Sequence, residues 1–246
     1  MKHKFTLVEL ICIIAVFIVA FTLVLPTCVN AKNGAMKASC DNNLKNIYVY
    51  LMHYADENDG HYLAAYRIYD RDIMQNWVYY LWYNYKLDPD MLICPAAKDT
   101  YAFGKKPANA DSYLQQSYGM HYEAVMDNYS HAKKIRFTRD ELAEHGQKPE
   151  AHIFVGDSAS NATKTKSAVK GRSSFLISAR GGYYDVNDST VHAGSGWSPM
   201  ENRHDSKINF LMFDGHTEAL DGEVVCEKSY TYWKPMFYDW KWVDLK

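Results

Sequence analysis

Hydrophobic and polar residues follow three different patterns along this chain. The first is unbroken: Phe5 to Leu25, FTLVELICIIAVFIVAFTLVL, is apolar or uncharged throughout except for Glu9. At 1.5 Å per residue, a helix of that length covers roughly the 30 Å of a bilayer's hydrocarbon core. The second begins at Met36. Met36, Cys40, Leu44, Ile47, Leu51 and Ala55 recur at steps of three and four, with Lys37, Asp41, Asn42, Lys45 and Asn46 between them. That spacing predicts an amphipathic helix with one face on a domain. With Asn33-Gly34 as a weak point, the two runs join after Pro26 into one helix of about 50 residues, roughly 75 Å long. Asp56-Glu57-Asn58-Asp59-Gly60 ends it. Read as a calcium loop, that run fails by one position, because Gly60 stands where the third oxygen ligand belongs. It reads instead as a helix terminus closed by glycine.

The third pattern is that of short strands and turns. Residues 61–95 are compact and aromatic, with a short helix predicted at Trp77 to Tyr85 and a strand at Met91 to Cys94, stopped by Pro95. Ser117 to Met120 reads as a short strand. Thr138 with Glu141 three residues on is the capping-box signature of a helix start. Ala151 to Gly156 reads as a buried strand ending at Asp157-Ser158, and residues 159–200 as a long excursion around one strand, SSFLISA. Lys207 to Phe213 and His216 to Leu220 flank Asp214-Gly215, which predicts a hairpin with a type I′ turn. The sum is an α+β chain. It divides into a leader at 1–4, a membrane helix at 5–25, its amphipathic continuation at 26–58 and a head at 59–246, in which the long helix packs on an antiparallel sheet.

Charge narrows the partners. The 27 basic and 29 acidic side chains are interspersed and leave a formal charge of −2, which argues against a nucleic-acid binder. Aromatic residues make up 15%, including 20 tyrosines; rings in a sheet domain serve packing more often than sugar or protein contacts. Lys2 and Lys4 hold the short leading end in the cytoplasm, which puts the head outside. There, Cys28, Cys40, Cys94 and Cys226 would meet an oxidising space and allow three complete pairings. Cys40 with Cys94 is the preferred bridge, since it would staple the helix to the head. No C-x-x-C and no paired Cys/His zinc spacing is present.

Glu9 sits where a carboxylate is costly and is usually retained for a partner. K/FTLVEL, with the acid four residues after Phe5, resembles the class III signal of type IV pilins and type II secretion pseudopilins. The resemblance implies that a prepilin peptidase cuts between Lys4 and Phe5 and methylates the new amine. It further implies that Glu9 pairs with the Phe5 amine of an adjacent subunit in the inner membrane. Lys4 departs from the pattern, which has Gly there. Along the head, SCDNNLKNIYVYLMHYADENDG (39–60), ICP (93–95), SYGM (117–120), VGDS (155–158) and His204 separated by nine residues from Asp214-Gly215 resemble the H-X9-DG group of prepilin-like proteins. That group has a place and a type, but no assigned substrate.

Candidate chemistry in the head is sparse. Asp157, Asp214 and His216 are a conceivable metal set, since both acids close a strand; His204 and Asp214 lie too far apart along an extended strand to share one ion. Asp214-Gly215 reads better as turn chemistry and His204 as a hydrogen-bonded structural residue. Some pseudopilins bind calcium in a head loop, and Asp185, Asn187 and Asp188 are the oxygen-rich candidates for it here. No nucleophile elbow, P-loop or dinucleotide fingerprint is present, so the expectation is a non-enzymatic subunit working with other pilin-like subunits. The rival expectation is a single-pass protein that does not polymerise and binds polysaccharide or a protein through its Tyr/Trp-rich head.

Overall fold

The computed structural model describes residues 6–70, 73–97, 116–121, 127–128, 133–134, 138–144, 148–159, 176–178, 182–188, 190–194, 200–227, 237–238 and 241–242. Lys4 and Phe5, and with them the cleavage expectation, lie outside that set.

One helix, α1 (Leu7–Glu57), carries both of the first two patterns without a break. Thr6 caps it: its hydroxyl accepts from the Glu9 amide while the Glu9 carboxylate accepts from the Thr6 amide, a reciprocal capping box. Pro26 lies inside the helix, where it withholds one backbone donor, and the helix nevertheless continues. At the other end Asn58 is the C-cap, and Gly60, at φ +78°, donates its N–H to the Ala55 carbonyl. The stripe reads as the spacing requires: Cys40, Leu44, Ile47, Leu51, Tyr54 and Ala55 are buried. Towards the N-terminus the large apolar side chains from Leu7 to Phe21, and those of Val24 and Leu25, are exposed.

The chain continues through β1 (Tyr66–Asp70), β2 (Ile73–Asn76), α2 (Trp77–Tyr85), a 3-10 turn (Pro89–Leu92), β3 (Tyr118–His121), β4 (Asp127–Asn128) and β5 (Lys133–Lys134). After α3 (Arg139–Glu144) come β6 (Ile153–Asp157), β7 (Leu176–Ile177), β8 (Tyr183–Asp185), β9 (Thr190–His192) and β10 (Met200–Glu201). The hairpin β11 (Lys207–Met212) and β12 (Thr217–Asp221), α4 (Gly222–Glu227), β13 (Phe237–Tyr238) and β14 (Lys241–Trp242) complete it. The fold is therefore α+β, with a long N-terminal helix and several sheets.

The principal sheet has the order β12-β11-β6-β3-β7. Its first three pairings are antiparallel, but β3 and β7 run parallel, so the sheet is mixed rather than wholly antiparallel. Both faces are covered. Leu211 and Phe213 join the core shared with α1, while Ile208, Phe210 and Met212 join a second core with Ile153, Ile177 and Met200. Aromatic rings do the packing expected of them: Phe154 and Phe213 stack at 4.2 Å, with Tyr62 edge-on to both.

Three local expectations need correction. Residues 89–92 form a 3-10 turn, not a strand, because Asp88 caps the Asp90 amide and Pro89 starts the turn. The stretch 159–200 holds β8 and β9 as well as the expected strand at Leu176–Ile177. The β11–β12 hairpin forms, but not through a type I′ turn. Gly215 alone takes positive φ, at +93°, while Gly215 N–H bonds to the Met212 carbonyl and Met212 N–H to the His216 carbonyl. That is a three-residue connection with one left-handed glycine. A Cβ on Gly215 would lie 2.5 Å from the Tyr48 ring of α1, so the glycine also lets the turn seat against the helix.

Candidate functional site

Four chain segments far apart in sequence converge under the outer half of α1, at Cys40. Cys40 projects from the buried stripe of the helix. Cys94 follows the 3-10 turn, Asp157 ends β6, and His204 lies in the tight link between β10 and β11. All four are buried, and one potential ligand atom from each lies within 4.8 Å of all the others. Cys40 Sγ is 3.5 Å from Asp157 Oδ1, Cys94 Sγ is 3.2 Å from His204 Nε2, and His204 Nε2 is 3.6 Å from Asp157 Oδ2.

Local structure holds each group in place. The link carrying His204 is closed by reciprocal backbone bonds between His204 and Lys207, with Asp205 and Ser206 at positive φ. Asp157 Oδ2 accepts from the Asn209 backbone N–H at 3.0 Å. The Tyr118 hydroxyl donates to Cys40 Sγ at 3.3 Å and accepts from the Asn43 amide of α1. Arg203 is the one buried cation beside the cluster among the described residues. Its guanidinium lies 3.8 Å from Asp157, pairs with Glu201, and donates to the Ser117 and Ser158 carbonyls.

The electrostatics are those of a crowded, dry pocket. Burial pushes the Asp157 carboxyl up to about 7, although Arg203, His204 and the Asn209 amide pull the other way. Burial also raises the Cys40 thiol, and Asp157 adds to the effect. Burial would raise Cys94 too, but the bond from Cys40 and the proximity of His204 and Arg203 outweigh it and favour a thiolate there. Against burial, Cys94 and Asp157 draw the His204 imidazole upward. A cavity of about 280 Å³ lined by Met36, Ala96, Asn202, Arg203 and His204 adjoins the cluster.

The residues singled out from sequence fall into separate places. Asp157 and His204 meet; Asp157, Asp214 and His216 do not. β6 and β11 are antiparallel, with Gly156 opposite Phe210 and Ile153 opposite Met212, so the acids that close these strands sit at opposite ends of the sheet. Asp214 instead bonds to His216 on the exposed turn, Oδ1 to Nδ1 at 2.6 Å. Cys40 and Cys94 are neighbours as the preferred pairing requires, and both are free thiols here. At the proposed calcium loop, Asp185 and Asp188 approach each other together with His192, while Asn187 turns its amide towards Asp185.

Sequence reasoning missed the set as a set. No pair among the four has a zinc-finger spacing, so the chain offers no local signal; contacts separated by 110 and 117 residues close the site. One signal was available. The five stretches SCDNN, ICP, SYGM, VGDS and the H-X9-DG histidine each place one residue here: Cys40, Cys94, Tyr118, Asp157 and His204. Comparison with family models, with curated proteins and with solved structures yields no match for the chain. The site is therefore argued from its own geometry.

Proposed function

We propose that this protein is a membrane-anchored, pilin-like or pseudopilin-like subunit that works by assembly rather than catalysis, from the inner membrane of a bacterium, its head in the periplasm or at the surface. One observation carries the reading: α1 is a single helix whose first half buries nothing in the head and whose second half is part of the head's core. Among the described residues it is the one helix long and apolar enough to cross a membrane. Leu7, Val16 and Phe21 are 74%, 69% and 60% exposed, a surface that water does not tolerate over such a length. Lipid covers it in the membrane, and neighbouring copies of the same helix cover it in a filament. Glu9 lies at the far end, where its carboxylate serves the cap; in a filament of such subunits it would also pair with the freed Phe5 amine of a neighbour.

The rival reading, a tethered binding protein that does not polymerise, draws on Lys4 at the cleavage position and on the exposed ring of Tyr83, stacked on Tyr79 beside Trp82. Such a ring shelf suits a sugar face. Mass spectrometry of the mature N-terminus separates the two. An N-methylated Phe5, with multimers lost in Glu9→Leu, supports assembly; an intact Met1, with multimers unchanged in Glu9→Leu, overturns it.

A further inference from the structure

We propose that Cys40, Cys94, Asp157 and His204 form a structural zinc site that fastens α1 to the head. The argument begins with distance. Around a tetrahedral Zn²⁺, with arms of about 2.3 Å to sulfur and 2.0–2.2 Å to nitrogen or oxygen, neighbouring donors stand roughly 3.3–3.8 Å apart. Three donor separations, 3.2, 3.5 and 3.6 Å, with Asp157 offering Oδ1 to Cys40 and Oδ2 to His204, come within about 0.1 Å of that range or inside it, and one donor atom from each residue lies within 4.8 Å of the rest. Donor chemistry comes next. Two thiolates, an imidazole and a carboxylate suit a borderline-soft tetrahedral ion and are a poor match for calcium or magnesium, which take oxygen.

Charge is compatible with a metal. Two thiolates and Asp157 carry three negative charges, and Glu201, paired with Arg203, carries a fourth; Zn²⁺ and Arg203 offset three of them, with His204 neutral. A Cys40–Cys94 disulfide would leave Asp157, fully buried, and Arg203 at 3.8 Å, with sulfur atoms that neither donate to the one nor need the other. The surroundings have the form of a supporting shell: the Asn209 amide on Asp157, the Tyr118 hydroxyl on Cys40, and Arg203 between strands. Because four protein donors fill the coordination sphere in a buried place, the site is closed and structural. The cavity beside His204 supplies an entry path. Binding expels to solvent the Cys40 thiol proton and the proton shared by Cys94 and His204, and changes no oxidation state. The inference stands apart from filament assembly and holds for either reading of the function.

The test uses the full chain in detergent, purified with a thiol reductant and given Zn²⁺ or Co²⁺. The expected result is about one zinc per chain by elemental analysis. With Co²⁺, thiolate-to-cobalt charge transfer and the visible bands of a tetrahedral ion are expected. Stripping the metal should lower the unfolding temperature by roughly 10 °C or more. In Cys40→Ser/Cys94→Ser zinc should fall at least tenfold. Should that variant not fold, the cobalt spectrum of the unaltered chain and the Asp157→Asn variant, which keeps the shape of the side chain, carry the same test. Absence of stoichiometric metal, an octahedral cobalt spectrum, or full metal content in the serine variant overturns the proposal. So does a chain isolated without reductant in which Cys40 and Cys94 are quantitatively disulfide-bonded and reduction plus zinc restores no metal.

Discussion

The two halves of α1 are built from the same backbone and meet opposite fates. From Leu7 to Phe21 large apolar side chains surround the axis and stay exposed; from Cys40 to Ala55 most of them keep to one stripe that is buried in the head, with Val49 outside it. The difference is one of pattern more than of hydrophobicity. A helix apolar on every side requires an apolar medium, whereas a stripe requires only one partner surface. A single element thus belongs to two solvents.

Substitutions of matched chemistry in the two halves test this division most directly. Leu51→Ala should cost the head about 2–5 kcal/mol in denaturant unfolding of the full chain in detergent, because Leu51 is fully buried. Ile14→Ala, in the exposed half, should leave the same midpoint within about 0.5 kcal/mol. Equal effects would show that the halves are not separate. Gly215→Val strikes the inner half from the head's side: positive φ and the Tyr48 ring 2.5 Å from the new Cβ predict a loss of about 2–4 kcal/mol.

A pH titration sharpens the comparison, since it should act on the head alone. His121 is buried at the end of β3, its Nδ1 3.1 Å from the Ile153 carbonyl, with His152 the other titratable group acting on it. Burial first, and His152 in addition, hold its pKa down at about 3. The unfolded chain takes up a proton near pH 6.5 that the folded chain refuses. Stability is therefore full above that pH and falls as pH drops towards 3, by up to about 1.4 kcal/mol per unit. Urea midpoints across this window should show the slope, and His121→Gln should flatten it. The smallest contrast concerns two equivalent caps. Thr138→Ala removes the hydroxyl that accepts from Glu141 N–H and should cost the head about 1 kcal/mol. Thr6→Ala, which removes the matching cap of α1, should leave the head's unfolding midpoint where it was.

Pattern made much of this fold legible. The buried stripe from Cys40 to Ala55, α2 at Trp77–Tyr85, the Thr138 cap and the β6 and β11–β12 strands all follow from local periodicity or local hydrogen bonding. The errors fall where local signals compete or end. Met91 to Ile93 are apolar enough for a strand, but Asp88-Pro89 commits the backbone to a turn first. Asp-Gly suggests a two-residue hairpin, but seating the turn against Tyr48 selects a longer one. The parallel pairing of β3 with β7, and the meeting of Asp157 with His204, are matters of register between distant strands, for which no short stretch carries a code. Cys40 and Cys94 are neighbours but unbridged, and Asp157 sits apart from Asp214 and His216 because β6 and β11 run antiparallel.

The continuity of α1 past Pro26 has a mechanical corollary. From Glu9 to Cys40 the helix has no joint, and at 1.5 Å per residue that interval is roughly 45 Å. A tug or twist applied to the exposed half can therefore pass along one continuous helix to the four residues gathered at Cys40, as force on a rod reaches its socket. The buried stripe from Cys40 to Tyr54 then makes the head turn with its stem.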